Sequence, residues 1–364
     1  MLFLPKEEQI PLELRGLYEK YGYRRFRMGK FESYDLYREN KNFLESDGII
    51  TFTDLSGKLM ALKPDVTISI VKNSRGKTQP QKFYYVENVF RLDAANKEYR
   101  EISQMGIEYI GGETGYAEAE VIALALKSLA AISGEYMLDI GSMGFVSSFI
   151  TALGFDDEAR YAVLKKLKHK NSHELYSYAL ECGLTEDKAA LLRKLPTLSG
   201  GFEAVLSQAG ELVLCDEMSA ALDELKALCA VLKAHTDDSR MRLDFSALND
   251  IDYYNGIVFK GYISGAPGAV LAGGRYDGLM QKFGSPLPAL GFALYLGELE
   301  RALAAVSEYD VDALLIYGDT DASEVFSQTR ALLGEYSSVR AERTAPEGVR
   351  ARYIKDISVG AENA

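Results

Sequence analysis

Two stretches rich in aromatic and β-branched residues, Lys82-Phe-Tyr-Tyr-Val-Glu-Asn-Val-Phe-Arg-Leu92 and Glu101-Ile-Ser-Gln-Met-Gly-Ile-Glu-Tyr-Ile-Gly111, are separated only by the polar run Asp93 to Arg100. So short a link cannot carry a parallel crossover, and the pair reads as two strands closed by a polar loop. A hairpin follows the same logic at 49–62, where Asp54-Leu-Ser-Gly57 supplies turn chemistry between Ile49–Thr53 and Lys58–Leu62. Further strands are expected at 136–140, 241–245, 257–263 and 269–271. Helices are expected at 7–21 (with Leu12, Leu14, Leu17 and Tyr18 on one side), 66–72, 117–132 and after Gly144. From 156 to 233 the pattern is helical throughout, and 310–364 reads as a small αβ unit. The fold class is therefore α+β, an antiparallel sheet flanked by helices. Its core comprises 1–155 and 235–305, with a helical insertion at 156–234 and a C-terminal αβ segment at 306–364.

Charge narrows the function. The formal net charge of −12 disfavours a general nucleic-acid binder, because such proteins draw affinity from cations on phosphates. The one basic run, Lys165-Lys-Leu-Lys-His-Lys170, reads as a solvated helical face, so tRNA contact is not expected. No apolar run approaches the roughly 20 residues of a membrane span, and the N-terminus has no signal-peptide pattern. Cys182, Cys215 and Cys229 show neither pairing nor metal spacing, which suits a reducing cytoplasm. His169 and His173, four apart on an expected helix, suit an exposed structural role, so no metal and no cofactor are expected.

Three places carry chemistry. Arg91 and Arg100 flank the polar loop and form a fork suited to a carboxylate or phosphate. Alternation puts Gln104, Gly106 and Glu108 on one face of the second strand, where Glu108 can accept hydrogen bonds from an amine or imidazole. An ion-paired sheet surface would explain the same residues. Downstream, Asp252-Tyr-Tyr254 offers hydroxyls and rings, and Gly273-Gly274 permits close backbone approach beside Arg275-Tyr-Asp277. Taken alone, the tyrosine pair equally suits core packing.

In combination these motifs resemble the histidyl-tRNA synthetase family of class II aminoacyl-tRNA synthetases. Val89-Phe-Arg91 with Arg100-Glu-Ile-Ser-Gln-Met-Gly-Ile-Glu108 is similar to motif 2, and Leu62-Lys-Pro-Asp-Val-Thr67 to the segment whose acid and threonine hold the substrate α-amino group. Gly291-Phe-Ala-Leu-Tyr-Leu-Gly-Glu298 resembles motif 3. The resemblance covers about 49–145 and 241–301. It implies a histidine pocket of Asp65, Thr67, Arg91, Gln104, Glu108, Tyr253, Tyr254, Gly273, Gly274 and Arg275, with Arg91 near the carboxylate.

The departures matter as much. Asn249 stands where the family has the arginine before its Asp-Tyr-Tyr string, Glu298 where motif 3 has its ATP-binding arginine, and Glu98 where the motif 2 loop usually has another. Arg301 lies three residues beyond Glu298 as a shifted cation. Adenylate formation needs cations on the triphosphate, so no catalytic residues are assigned. Non-catalytic relatives with this profile serve as regulatory subunits of ATP phosphoribosyltransferase. The resemblance implies a hetero-oligomer (a hetero-octamer) with the short-form catalytic subunit. It also implies a homodimeric core through the motif 1 region at 7–32, free histidine as ligand, and a part in histidine feedback. A divergent histidyl-tRNA synthetase and a stand-alone histidine-sensing paralogue are the alternatives.

Overall fold

The computed structural model describes residues 6–44, 48–93, 96–247, 254–303 and 309–358. They fall in two compact units, one of Lys6–Leu303 and one containing the C-terminal segment. Helix α1 (Lys6–Lys20) buries Ile10, Leu14 and Tyr18, which recur every four residues along one face. Leu12, expected on that face, lies about 200° round the helix from Ile10 and is 58% exposed. After the short β1 (Arg24–Arg25), strand β2 (Phe31–Ser33) leads into α2 (Tyr34–Arg38). Strands β3 (Thr51–Thr53) and β4 (Leu59–Leu62) form the expected hairpin and join β2 in a small sheet of order β2-β4-β3. Its turn is closed by Asp54 Oδ1, which accepts the N–H groups of Ser56 and Lys58, both at 2.9 Å.

Helix α3 (Thr67–Ser74) precedes the two long strands, β5 (Gln81–Leu92) and β6 (Tyr99–Ile110). These pair antiparallel along their whole length, from Gln81 opposite Ile110 to Leu92 opposite Tyr99, as the short loop requires. Helix α4 (Tyr116–Ile132), strand β7 (Tyr136–Ser142) and helix α5 (Met143–Leu153) follow. The helical stretch resolves into α6 (Asp157–Lys168), α7 (Ser172–Glu181), α8 (Glu186–Lys194), a short β8 (Ser199–Gly200), α9 (Phe202–Gly210) and α10 (Asp216–His235). His169 and His173 do not share a helix, because Lys170 takes φ 53° and breaks the chain between α6 and α7.

The chain returns through β9 (Met241–Asp244), β10 (Ile257–Ile263), β11 (Leu271–Arg275), α11 (Asp277–Lys282), β12 (Ala289–Tyr295) and α12 (Leu296–Leu303). β11 runs from 271 to 275 rather than 269 to 271. β12 is an addition to the expected strands: Ala-Leu-Gly-Phe-Ala-Leu-Tyr has neither β-branching nor alternation. It is nonetheless central, covered on both faces, where polar alternation has no role. The main sheet has the order β1-β5-β6-β12-β11-β10-β7-β9-β8, antiparallel except at β1–β5 and β7–β9. The C-terminal unit is a parallel sheet, β14-β13-β15, of β13 (Val311–Ile316), β14 (Val339–Glu342) and β15 (Ala351–Asp356), with α13 (Ala322–Leu333) beside it. Among the described residues no helix is long and apolar enough to cross a membrane.

One apolar cluster fills the face of the main sheet covered by α1, α4, α5 and α10, and takes in Leu129, Phe259 and Phe292 together with Val163 and Leu175 from the helical stretch. A smaller cluster, including Val66, Ile70, Tyr85, Tyr276 and Met280, packs α3 and α11 on the opposite face. On α4, buried Glu120 accepts hydrogen bonds from Tyr23 at 3.0 Å, Lys82 at 2.7 Å and Tyr116 at 2.8 Å, while the Lys82 ammonium sits 4.5 Å from the Tyr109 ring centre. That network pins α4 to β5. Glu120→Ala strands a largely buried ammonium and is expected to cost about 3 kcal/mol in urea unfolding. The double variant Glu120→Leu, Lys82→Met should recover most of it; a double variant as unstable as the single would exclude the ion pair as the source.

Candidate functional site

Two cross-strand rows build the floor of a cavity of about 260 Å³ on the α3 side of the main sheet. In one row, Tyr85, Gly106, Ala293, Ala272 and Lys260 lie opposite one another on β5, β6, β12, β11 and β10. In the next, Glu108 faces Gly291, which faces Gly274. Side chains that oppose in register point to the same face. The floor is therefore stripped to hydrogens and methyls in the middle, with large polar groups at its ends. The glycines are required by space. A Cβ on Gly291 would lie 2.0 Å from a Glu108 carboxylate oxygen, and one on Gly274 2.6 Å from the Tyr254 ring.

The acidic end is constructed from three segments. Glu108, 2% exposed on β6, accepts a 2.7 Å hydrogen bond from Thr67 Oγ1 and a 2.6 Å bond from the Tyr276 hydroxyl. Asp65 sits at the start of α3, where its Oδ1 accepts the Ile68 N–H at 2.8 Å. Arg91 lies beside it, with Nη2 3.7 Å from Asp65 Oδ2 and Nε donating to the Pro64 carbonyl at 2.8 Å. Burial pushes the Glu108 carboxyl up to about 8, against the two hydroxyl donors that favour its ionised form, and nearby Asp65 raises it further. Burial likewise lifts Asp65 to about 6, opposed by the N–H groups of Ile68 and Thr67. Both acids are thus poised to ionise when a cation enters.

A second cleft of about 640 Å³ adjoins the first along Arg91, Ala269 and Tyr295. It is lined by three arginines, each set against a carboxylate. Arg100 lies 3.1 Å from Asp93, and Arg301 lies 3.1 Å from Glu298. Arg91 is already turned to Asp65. Glu98 keeps to its own loop, where it accepts from Asn96 at 3.1 Å.

Of the residues picked from sequence, Asp65, Thr67, Arg91, Gln104, Glu108 and Tyr254 line the first cavity. Gly274 supports it from below. Arg275 does not join it. Alternation along β11 turns Arg275 to the helix-covered face, where it lies 2.6 Å from Asp277, 3.4 Å from Glu118 and 3.9 Å from Glu224. Gly273 faces the same way, beneath Phe292 and Phe259. Tyr253 and Asn249 lie outside the described residues. Sequence reasoning missed Tyr85, Tyr276, Lys260 and Lys168, all of which line the cavity. Alternation signalled Tyr276, since 272, 274 and 276 share a face once Gly274 is placed at the floor. Lys168 carried no such signal.

A long antiparallel sheet with an acid-ended pocket over its small-residue floor defines a class II aminoacyl-tRNA synthetase-like protein of the histidyl branch. The histidyl-tRNA synthetase family model matches residues 4–299. The ATP phosphoribosyltransferase regulatory subunit of Thermoanaerobacter sp. (strain X514) is 31% identical over 350 residues, covering 92% of this chain and 90% of the relative. That of Syntrophotalea carbinolica is 30% identical over 384 aligned positions, covering 100% and 89%. Among solved structures, a Bacillus halodurans ATP phosphoribosyltransferase regulatory subunit/histidyl-tRNA synthetase has a TM-score of 0.75 at 23% identity, covering 98% of this chain and 90% of that one. A chain of the Thermotoga maritima ATP phosphoribosyl transferase complex has a TM-score of 0.62 at 16% identity, covering 81% and 98%. The chain belongs to the family of ATP phosphoribosyltransferase regulatory subunits, a histidyl-tRNA synthetase-like family.

The two raised carboxyls give stability a pH dependence. Glu108 moves from its usual 4.5 to about 8 and Asp65 from 3.8 to about 6, so the unfolded chain ionises first. The contribution is complete below about pH 4 and is lost as pH rises toward 8. Glu108→Gln removes the larger part, and the loss between pH 5 and 8 should flatten by on the order of a few kcal/mol. Denaturant unfolding across that range checks it; an unchanged slope would mean that Glu108 is ionised in the free protein.

Proposed function

We propose that the chain is a non-catalytic subunit that binds free histidine in the acid-ended cavity and conveys its level to an ATP phosphoribosyltransferase catalytic chain. The observation that carries this reading is a contrast between neighbouring sites. The amino-acid cavity keeps a full set of buried polar partners, whereas each arginine of the adjoining cleft faces a carboxylate. Transfer of an adenylyl group needs cations committed to phosphate and to the developing charge. Here those cations are already neutralised, so catalysis falls to the partner chain, where ATP meets phosphoribosyl pyrophosphate. The imidazole or ammonium of histidine suits Glu108 and Asp65, and Gln104 and Tyr254 offer further polar contacts. The relatives' names and the Thermotoga maritima complex support a hetero-oligomer. A two-fold core is supported by the small sheet, which exposes Phe31, Phe52 and Leu59 with Phe31 edge-on to Phe52 at 5.1 Å. Cys182, Cys215 and Cys229 form no disulfide with one another, a pattern that supports work in the cytoplasm.

A ligand that prefers one assembled state must shift the population toward it, and affinity and coupling then change together. Adding this chain to the catalytic chain should raise turnover and histidine sensitivity in the same assay. A catalytic chain with full activity and full inhibition by itself would overturn the proposal. Histidine-dependent exchange of pyrophosphate into ATP should be absent from the isolated chain, and robust exchange lost on Arg301→Ala would favour a divergent synthetase instead.

Binding itself has a proton signature. At pH 7 the free Glu108 is mostly protonated, so a cationic ligand should release a proton as it docks and bind more tightly as pH approaches 8. Calorimetry in buffers of differing ionisation enthalpy reads that release. Glu108→Ala should weaken histidine about ten- to hundred-fold; unchanged affinity would remove Glu108 from the site. Sedimentation should report a dimer dissociated by Phe31→Asp, and a monomeric wild type would exclude the two-fold core.

A further inference from the structure

The cavity is charged at both ends. Its acids stand on β6 and at the start of α3, and Lys260 stands three strands away on β10, at the far end of the Gly106, Ala293, Ala272 row. Lys168, from the last turn of α6, reaches the same space. Three strand spacings amount to about 14 Å, and an extended lysine returns about 6 Å of that. The gap left is that of a small zwitterion, and the row between is Gly106, Ala293 and Ala272 among the described residues. Arg91, the third cation of the lining, is placed beside Asp65 at the acidic end, with its Nε on the Pro64 carbonyl. The α6 terminus is itself anchored to the sheet, since Lys170 Nζ lies 2.6 Å from Asp244.

We infer that Lys260 and Lys168 form the anion-recognising end of the cavity and seat the carboxylate of the amino-acid ligand, in place of the Arg91 contact expected from sequence. This rests on the reading of the cavity as a histidine site, and it makes the two lysines specificity-determining residues. The carboxylate lies over the opposed methyls of Ala272 and Ala293. The cationic end of the ligand is left to Glu108 and Asp65. Lys168 also ties the ligand to the helical stretch, because among the described residues it is the one that the helices α6 to α10 contribute to the lining.

The test compares L-histidine with L-histidinol, which lacks only the carboxylate function, by calorimetry on the full chain. The wild type should prefer histidine by about ten-fold or more. Lys260→Met should erase most of that preference by weakening histidine while leaving histidinol within about two-fold, and Lys260→Arg should restore it. Lys168→Met, on a half-exposed helix end, should reduce the preference without affecting folding. Glu108→Gln should weaken both ligands alike. A Lys260→Met, Lys168→Met protein that still folds, binds histidine and keeps the wild-type preference overturns the inference while sparing the histidine reading. A wild type that binds neither ligand overturns both.

Discussion

Glu108 organises this molecule's functional half. A carboxyl group on the third-last residue of a fully paired strand has nowhere to go unless its neighbours make room, and Gly291 does so by having no side chain. Its two oxygens are then taken by hydroxyls from distant segments, Thr67 at the start of α3 and Tyr276 just past the end of β11. A buried acid that lost either donor would be left with an unmet polar group, so the three segments are bound to one arrangement. The same burial raises the acid's pKa and stores an affinity for cations in the free protein. Stability is sacrificed to produce that readiness, which is the usual relation between a binding site and its scaffold.

The neighbouring cleft follows the opposite rule. Arginines are plentiful in it, but Asp93 and Glu298 neutralise two of them at 3.1 Å and Asp65 lies beside the third. A triphosphate would have to displace carboxylates that it also repels. Under the proposed reading, the fold that in a synthetase couples an amino acid to ATP here keeps the amino-acid half of the pair. That is sufficient for a regulatory subunit, whose task is differential binding rather than bond making. Lys168 brings the helical stretch to the lining of the cavity, so under the proposed reading a ligand there would contact it.

Much of this was written in the linear chain. The long paired strands, the Asp54 to Gly57 turn and the helices of the core follow from periodicity and turn chemistry, because each depends on neighbours within a few residues. Asp65, Thr67, Gln104 and Glu108 were legible for a related reason: alternation and motif spacing preserve which face a residue occupies. Helix bounds and the run of Met241 to Asp244 and Ile257 to Ile263 needed nothing beyond local pattern.

What only the tertiary structure decided is where distant segments meet. β12 has no local strand signature, since a strand covered on both faces needs no polar alternation, and its central place emerges only from its partners β6 and β11. Arg275 looked like a pocket residue until pairing set the register of β11 and turned it toward Glu118. Lys260 and Lys168 belong to segments that the sequence separates by more than ninety positions, and nothing local announces that both reach one cavity. Sequence determines which face a side chain takes within its own element, because that is set by backbone geometry. Which faces then enclose a site depends on packing between elements, where the energy lies in contacts that no local pattern encodes.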